Sequence, residues 1–185
     1  MNAFTNEIIK KYYSPSSKAG SILVSHSKAV AKKALEIAEN AKHLNPDIGF
    51  IEEASMLHDI GIFLVYSPDI GCYGKDPYVR HGILGKELLE KEGYKDYASV
   101  CERHLIITEK EIVENKLPLP ERDMVPVSIE EEIITLADKF FSKGVEKDVT
   151  YERSVEKARE VVSKFGEIKT RNFDYLLKKY NLIRK

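Results

Sequence analysis

The sequence predicts an all-α bundle, and three observations carry that expectation. Apolar residues recur at helical spacing through most of the chain. Capping signatures and Gly or Pro breaks fall at the ends of those periodic stretches. No segment shows clean period-two alternation, so a sheet is not expected.

Taken in order, residues 21–40 read as one long helix, with Val30, Ala34, Ile37 and Ala41 at i, i+4, i+7 and i+11. A second helix, 48–59, is entered through Asn45-Pro46-Asp47, which supplies turn and capping chemistry, and Gly61 is expected to end it. Pro68, Gly71, Gly74 and Pro77 make 67–80 a loop. Residues 81–92 form a third helix closed by Gly93, and 95–105 a fourth. Thr108 and Glu111 have the spacing of a capping box, as do Ser128 and Glu131, the latter opening a strongly apolar helix expected to run through Phe141. Residues 151–165 and 173–180 complete the bundle.

A chain of 185 residues is most economically one domain, 1–185. We expect a core over 21–143 with C-terminal helices, 150–183, packed on it. Hydrophobic content of 43% and charged content of 32% exclude a disordered tail or a rod. The net charge of −1 gives no global attraction to a nucleic-acid polymer or an anionic membrane. Cys72 and Cys101 form no C-x-x-C pair, which argues against a zinc knuckle. The longest apolar stretch, 60–66, is too short to cross a bilayer, and residues 1–13 do not resemble a signal peptide. The expected location is the cytoplasm.

Four of the five histidines fall on stripes that must face the interior. His26 lies one turn before Val30, and His58 shares a face with Ile51 and Ala54. His81 goes with Leu84 and Leu88, and His104 continues Tyr97, Val100 and Cys101. His43 follows Glu36 and Glu39 and reads as solvated. Asp138 sits between Ile134 and Phe141, where a carboxylate is costly unless a cation or several donors meet it. Lys139 is about 100° away around a helix of 3.6 residues per turn, so it is a poor partner for Asp138.

His26, then His58-Asp59-Ile60-Gly61, then Asp138 before Lys139, gives the order H…HD…D with an HDIG element. This set resembles the HD-domain superfamily of metal-dependent phosphohydrolases, and His81 and His104 match its two-metal variant, H…HD…H…H…D. The resemblance implies an HD-domain helical bundle. It also implies that Asp59 bridges two divalent ions, with His26, His58 and Asp138 on one and His81 and His104 on the other. Imidazole and carboxylate ligands suit Fe, Mn, Co, Ni or Zn. Two such ions with two carboxylates leave a net +2, which attracts phosphate and lowers the pKa of a bound water.

The implied activity is hydrolysis of a nucleotide or dinucleoside polyphosphate by a metal-activated hydroxide. The alternatives are a di-iron oxygenase on the same scaffold and a non-catalytic metal-binding module. Many relatives carry a lysine directly after HDIG, where this chain has Ile62, and the Gly-Tyr-Pro signature of cyclic dinucleotide hydrolases is missing. Phosphate contacts are therefore sought at Arg80, Arg103 and Lys139, with Arg103 and Lys139 counted beside Asp59 among the catalytic residues. Tyr73 offers a surface for stacking a base and Lys75 a contact to a distal phosphate. The expected partner is a small phosphate compound, with oligomeric state left open.

Overall fold

The computed structural model describes residues 3–144 and 148–183, and they build an all-α bundle. Among the described residues there are nine α-helices, and the only sheet is a hairpin of two-residue strands. The first helix, α1 (Ala3–Tyr12), falls where the sequence reading assigned no element. It buries Ile8 and Ile9, and Tyr13 just beyond it donates its hydroxyl to the Ile60 carbonyl at 2.7 Å.

The long helix α2 (Lys18–Asn40) begins at Lys18 rather than residue 21, because the Ser17 side chain caps it by accepting the Gly20 N–H. Asp47 caps α3 (Ile48–Leu57) in the same way, accepting from Phe50. That helix stops short of residue 59. His58 is its C-cap, and the chain continues through a 3₁₀ turn, Ile60–Leu64. Gly61 lies inside this turn and serves a different purpose from the one expected. A Cβ there would run into the His81 carbonyl and the Gly85 backbone, so the glycine lets the next helix approach closely.

The stretch expected as a loop holds β1 (Tyr66–Ser67) and β2 (Cys72–Tyr73), paired antiparallel, with 3₁₀ turns at Pro68–Ile70 and Tyr78–Arg80. Next come α4 (His81–Lys91), α5 (Lys95–Arg103) and α6 (Glu109–Glu114). The capping box of α6 is complete in both directions. That of α7 (Ile129–Asp138) is only half formed: Ser128 accepts from Glu131, but the Glu131 carboxylate turns to the Val127 N–H and to Arg103. α7 also ends at Asp138, not Phe141, although Phe140 and Phe141 stay buried. α8 (Val155–Ser163) starts at its Ser154 cap rather than at Tyr151, and α9 (Glu167–Lys179) begins ahead of Phe173.

The main core gathers Val30, Ala34 and Ile37 of α2, Ile51 of α3, Ile133 and Leu136 of α7, and Phe173, Leu176 and Leu177 of α9. The Val, Ile, Leu and Phe side chains among these each contribute about 1.5–3 kcal/mol when fully buried. The C-terminal helices thus share the interior of the segment before them. Cys72 and Cys101 are buried and free. Among the described residues no helix is long and apolar enough to cross a membrane.

Candidate metal centre

Five separate segments deliver polar side chains to one end of this core. His26 comes from the middle of α2, held inward by the stripe that buries Val30 and Ala34. His58 and Asp59 leave the end of α3, His81 opens α4, His104 caps α5, and Asp138 is the last residue of α7. His26, His58 and Asp59 are fully buried. His43 is exposed, as its acidic neighbours suggested.

The six residues form two groups that share Asp59: His26, His58, Asp59 and Asp138 in one, Asp59, His81 and His104 in the other. Within each group one potential ligand atom per residue lies within 4.8 Å of the rest. Asp59 divides its oxygens between them. Oδ2 is 3.0 Å from His58 Nε2 and 3.3 Å from His26 Nε2. Oδ1 is 3.2 Å from His81 Nε2 and 3.6 Å from His104 Nε2. On the far side of the first group, Asp138 Oδ1 lies 3.1 Å from His26 Nε2 and 3.5 Å from His58 Nε2.

The donor set fits divalent ions, and the hydrogen bonds around it say why. His58 donates its Nδ1–H to the Ser55 carbonyl at 2.7 Å, and His81 donates likewise to Tyr78 at 2.7 Å. His104 Nδ1 reaches the Val100 carbonyl at 3.3 Å. A carbonyl only accepts, so each neutral ring carries its proton on Nδ1 and turns an Nε2 lone pair inward. The His81 and His104 lone pairs then face each other at 3.2 Å. His58 Nε2 and Asp59 Oδ1 are buried with no hydrogen-bond partner. Acceptors aimed at acceptors in a dry interior are unfavourable unless a cation lies between them.

Burial and the neighbouring charges set the ionisation of these groups. Burial pushes the His58 imidazole down, but the Asp59 and Asp138 carboxylates outweigh it and hold the group up at about 9. Burial likewise opposes ionisation of Asp59, and His58 with Lys143 overcomes it, keeping that carboxyl well below its usual range. Asp138 is held low by Lys139 and Lys143 against the same burial. For His104 burial wins: it leaves the imidazole well below its ordinary value, with Asp59 and Asp138 opposing that only in part and His58 and His81 adding to it.

Lys143 carries no signal in the sequence. It lies just past α7, outside any helical stripe, and only its nearness to the last acidic ligand hints at a role. Its Nζ is 2.5 Å from Asp59 Oδ2, 3.5 Å from His26 Nε2 and 4.0 Å from Asp138 Oδ1, so an ammonium lies among the atoms of the first group. Lys139 also departs from expectation. Its Nζ reaches Asp138 Oδ2 at 3.0 Å and the His104 carbonyl at 3.1 Å, because the helix ends there and a flexible side chain can fold back.

The other residues singled out for phosphate are engaged elsewhere. Arg103 donates to Glu131 at 2.7 Å, and Arg80 donates to the Pro118 carbonyl at 2.8 Å with Asp76 beside its Nε. Tyr73 and Lys75 are exposed, and none of these four lines the cavity that opens from the cluster.

Residues 23–142 match the family model for the HD domain. The chain belongs to the HD-domain family. The HD domain's ordered His and Asp residues are the ones gathered here around Asp59. Over 127 residues the chain is 34% identical to a tRNA (cytidine(56)-2'-O)-methyltransferase of Thermoplasma volcanium, covering 67% of this chain and 33% of that protein. It is 32% identical over 133 residues to the uncharacterized protein MJ0778 of Methanocaldococcus jannaschii, covering 68% and 71% respectively. A methyltransferase of the same description from Picrophilus torridus is 32% identical over 130 residues, again across 33% of its length. The chain therefore spans about a third of the methyltransferases it matches. No solved structure matches it significantly.

Proposed function

We infer that this HD domain is a metal-dependent phosphohydrolase acting on a small phosphate ester, with nucleotides the first class to assay. One observation carries the reading: a single buried carboxylate, Asp59, presents one oxygen to each of two imidazole groups. That is the arrangement a bridging ligand between two ions requires. When bound, such ions supply Lewis acidity, polarising phosphoryl oxygens and lowering the pKa of water.

The protein's own residues do the rest. Backbone carbonyls at Ser55, Tyr78 and Val100 fix the tautomers of His58, His81 and His104. Asp138 and Asp59 bring two negative charges, which two divalent cations would over-compensate to a net +2. Lys139 and Lys143 stand at the inner end of the cavity, where their ammonium groups meet the phosphate's non-bridging oxygens. Arg80 and Arg103 have partners of their own and do not line the cavity, so this reading does not rely on them.

The test loads purified protein with Mn, Co, Ni or Fe(II) and follows phosphate release from a panel of nucleotides and simple esters. Release with at least one metal, abolished by Asp59→Asn, is expected. No release with any metal overturns the reading. Oxygen uptake by the iron-loaded protein in its place would put an oxygenase there instead.

A further inference from the structure

A cavity of about 690 Å³ opens from the metal centre, within the roughly 300–1,000 Å³ typical of small-molecule sites. Its two ends differ in chemistry. The inner end holds His81, His104 and Asp138 with Lys139 and Lys143. The outer wall is built by Val161, Val162, Phe165, Phe173 and Leu176, from α8, the turn after it and α9. All five lie beyond residue 142, where the family match ends. Residues within the family match are on one side, and residues beyond it are on the other.

The outer wall offers little to a polyanion. The further cations of the lining are committed: Lys169 donates to the Ile106 carbonyl at 3.0 Å and lies 3.7 Å from Glu111, and the buried Arg153 donates to the Phe141 carbonyl at 3.0 Å. Burial and the nearby Lys139 ammonium both disfavour the Lys169 charge. A polyphosphate needs partners along its length, and the cations that line this cavity near the ligands, Lys139 and Lys143, stand together at the metal end. Phe165, by contrast, is 66% exposed on the cavity wall, and an apolar group laid on it would remove water from both surfaces.

We propose that the substrate is a phosphomonoester of an aromatic or aliphatic alcohol, its phosphate at the metal centre and its apolar body against α8 and α9. The assignment rests on the hydrolase reading. The reaction balances with water alone: the water oxygen bonds to phosphorus, the ester P–O bond breaks, and the alcohol leaves with a proton, giving inorganic phosphate. Charge at one end and apolar surface at the other orient the ester with phosphorus at the metals.

The experiment compares kcat/KM of the metal-loaded protein for naphthyl phosphate, phenyl phosphate, AMP and ATP. It also measures naphthol binding by calorimetry, which needs no turnover. Naphthyl phosphate is expected to exceed AMP by at least about tenfold, roughly what burying two methylene equivalents gives. Phe165 is surface-exposed, so Phe165→Asp is expected to leave the fold intact, which a thermal melt checks. The substitution should raise KM for naphthyl phosphate about tenfold at constant kcat and weaken naphthol binding. A preference for AMP or ATP, or an unchanged KM in Phe165→Asp, overturns this inference and leaves the hydrolase standing. Release from no ester, with naphthol still bound, overturns the hydrolase reading and the substrate assignment together.

Discussion

The two halves of the metal centre share Asp59 yet are balanced differently. The His26/His58/Asp138 half has a second carboxylate, a raised His58 and two lysines at its edge. The His81/His104 half has two facing imidazoles and one oxygen of Asp59, and among the described residues no ammonium hydrogen-bonds to its nitrogens. The first half has ammonium groups and a raised His58 beside its carboxylates, so an ion bound there competes with positive charge. The second half carries unopposed lone pairs, and an ion arriving there relieves them. Electrostatic balance among the side chains, and not ligand count alone, separates the two.

The largest test of this comparison removes what the halves share. Asp59→Asn should abolish detectable turnover, a fall in kcat of at least about 10³-fold or about 4 kcal/mol of transition-state stabilisation. It should also destabilise the metal-free protein by about 3–5 kcal/mol, because the buried Lys143 loses its partner. Turnover assays and chemical denaturation read the two effects. Removing one half is the next step. His26→Ala should abolish detectable turnover, whereas His81→Ala should leave one ion bound and turnover reduced by about 10²-fold. Intact turnover in both His81→Ala and His104→Ala would mean that one ion suffices.

A smaller effect sharpens the contrast. Lys143→Met removes the ammonium from the first half without changing its ligands. It should tighten metal binding there about tenfold, near 1.4 kcal/mol, while kcat falls. Competition with a chelator separates that gain from the activity loss. The smallest effect concerns pH. The folded pKa of His58, about 9, exceeds its unfolded value near 6.5. Its contribution to stability is therefore complete below about pH 6.5 and is lost as pH rises through about 9. Metal-free protein should lose stability over that window. Metal-loaded protein should not, because the ion has replaced the proton.

Much of the centre was legible in the chain. An imidazole or carboxylate on a stripe of Val, Ala and Ile is conspicuous, and His26, His58, His81, His104 and Asp138 all stand that way. Positions past the helix ends were harder. Lys143 owes its place to the path of the chain after Asp138, and Lys139 to a side chain folding back at a helix terminus, neither of which a periodic pattern encodes. Arg103 was sought at the phosphate because it adjoins His104. Neighbours in a helix point about 100° apart, and the direction that turns His104 inward sends Arg103 to Glu131 at the start of α7. That pairing also explains the half-formed capping box there. α1 went unread because its anchor, Tyr13 on the Ile60 carbonyl, is a long-range contact.

The most direct measurement is the number of divalent ions per chain, by elemental analysis of natively purified protein alongside Asp59→Asn and His81→Ala. Two ions in the parent, one in His81→Ala and none in Asp59→Asn is the pattern that a shared carboxylate demands. A single ion in the parent, or ions retained by Asp59→Asn, would contradict a centre organised around Asp59.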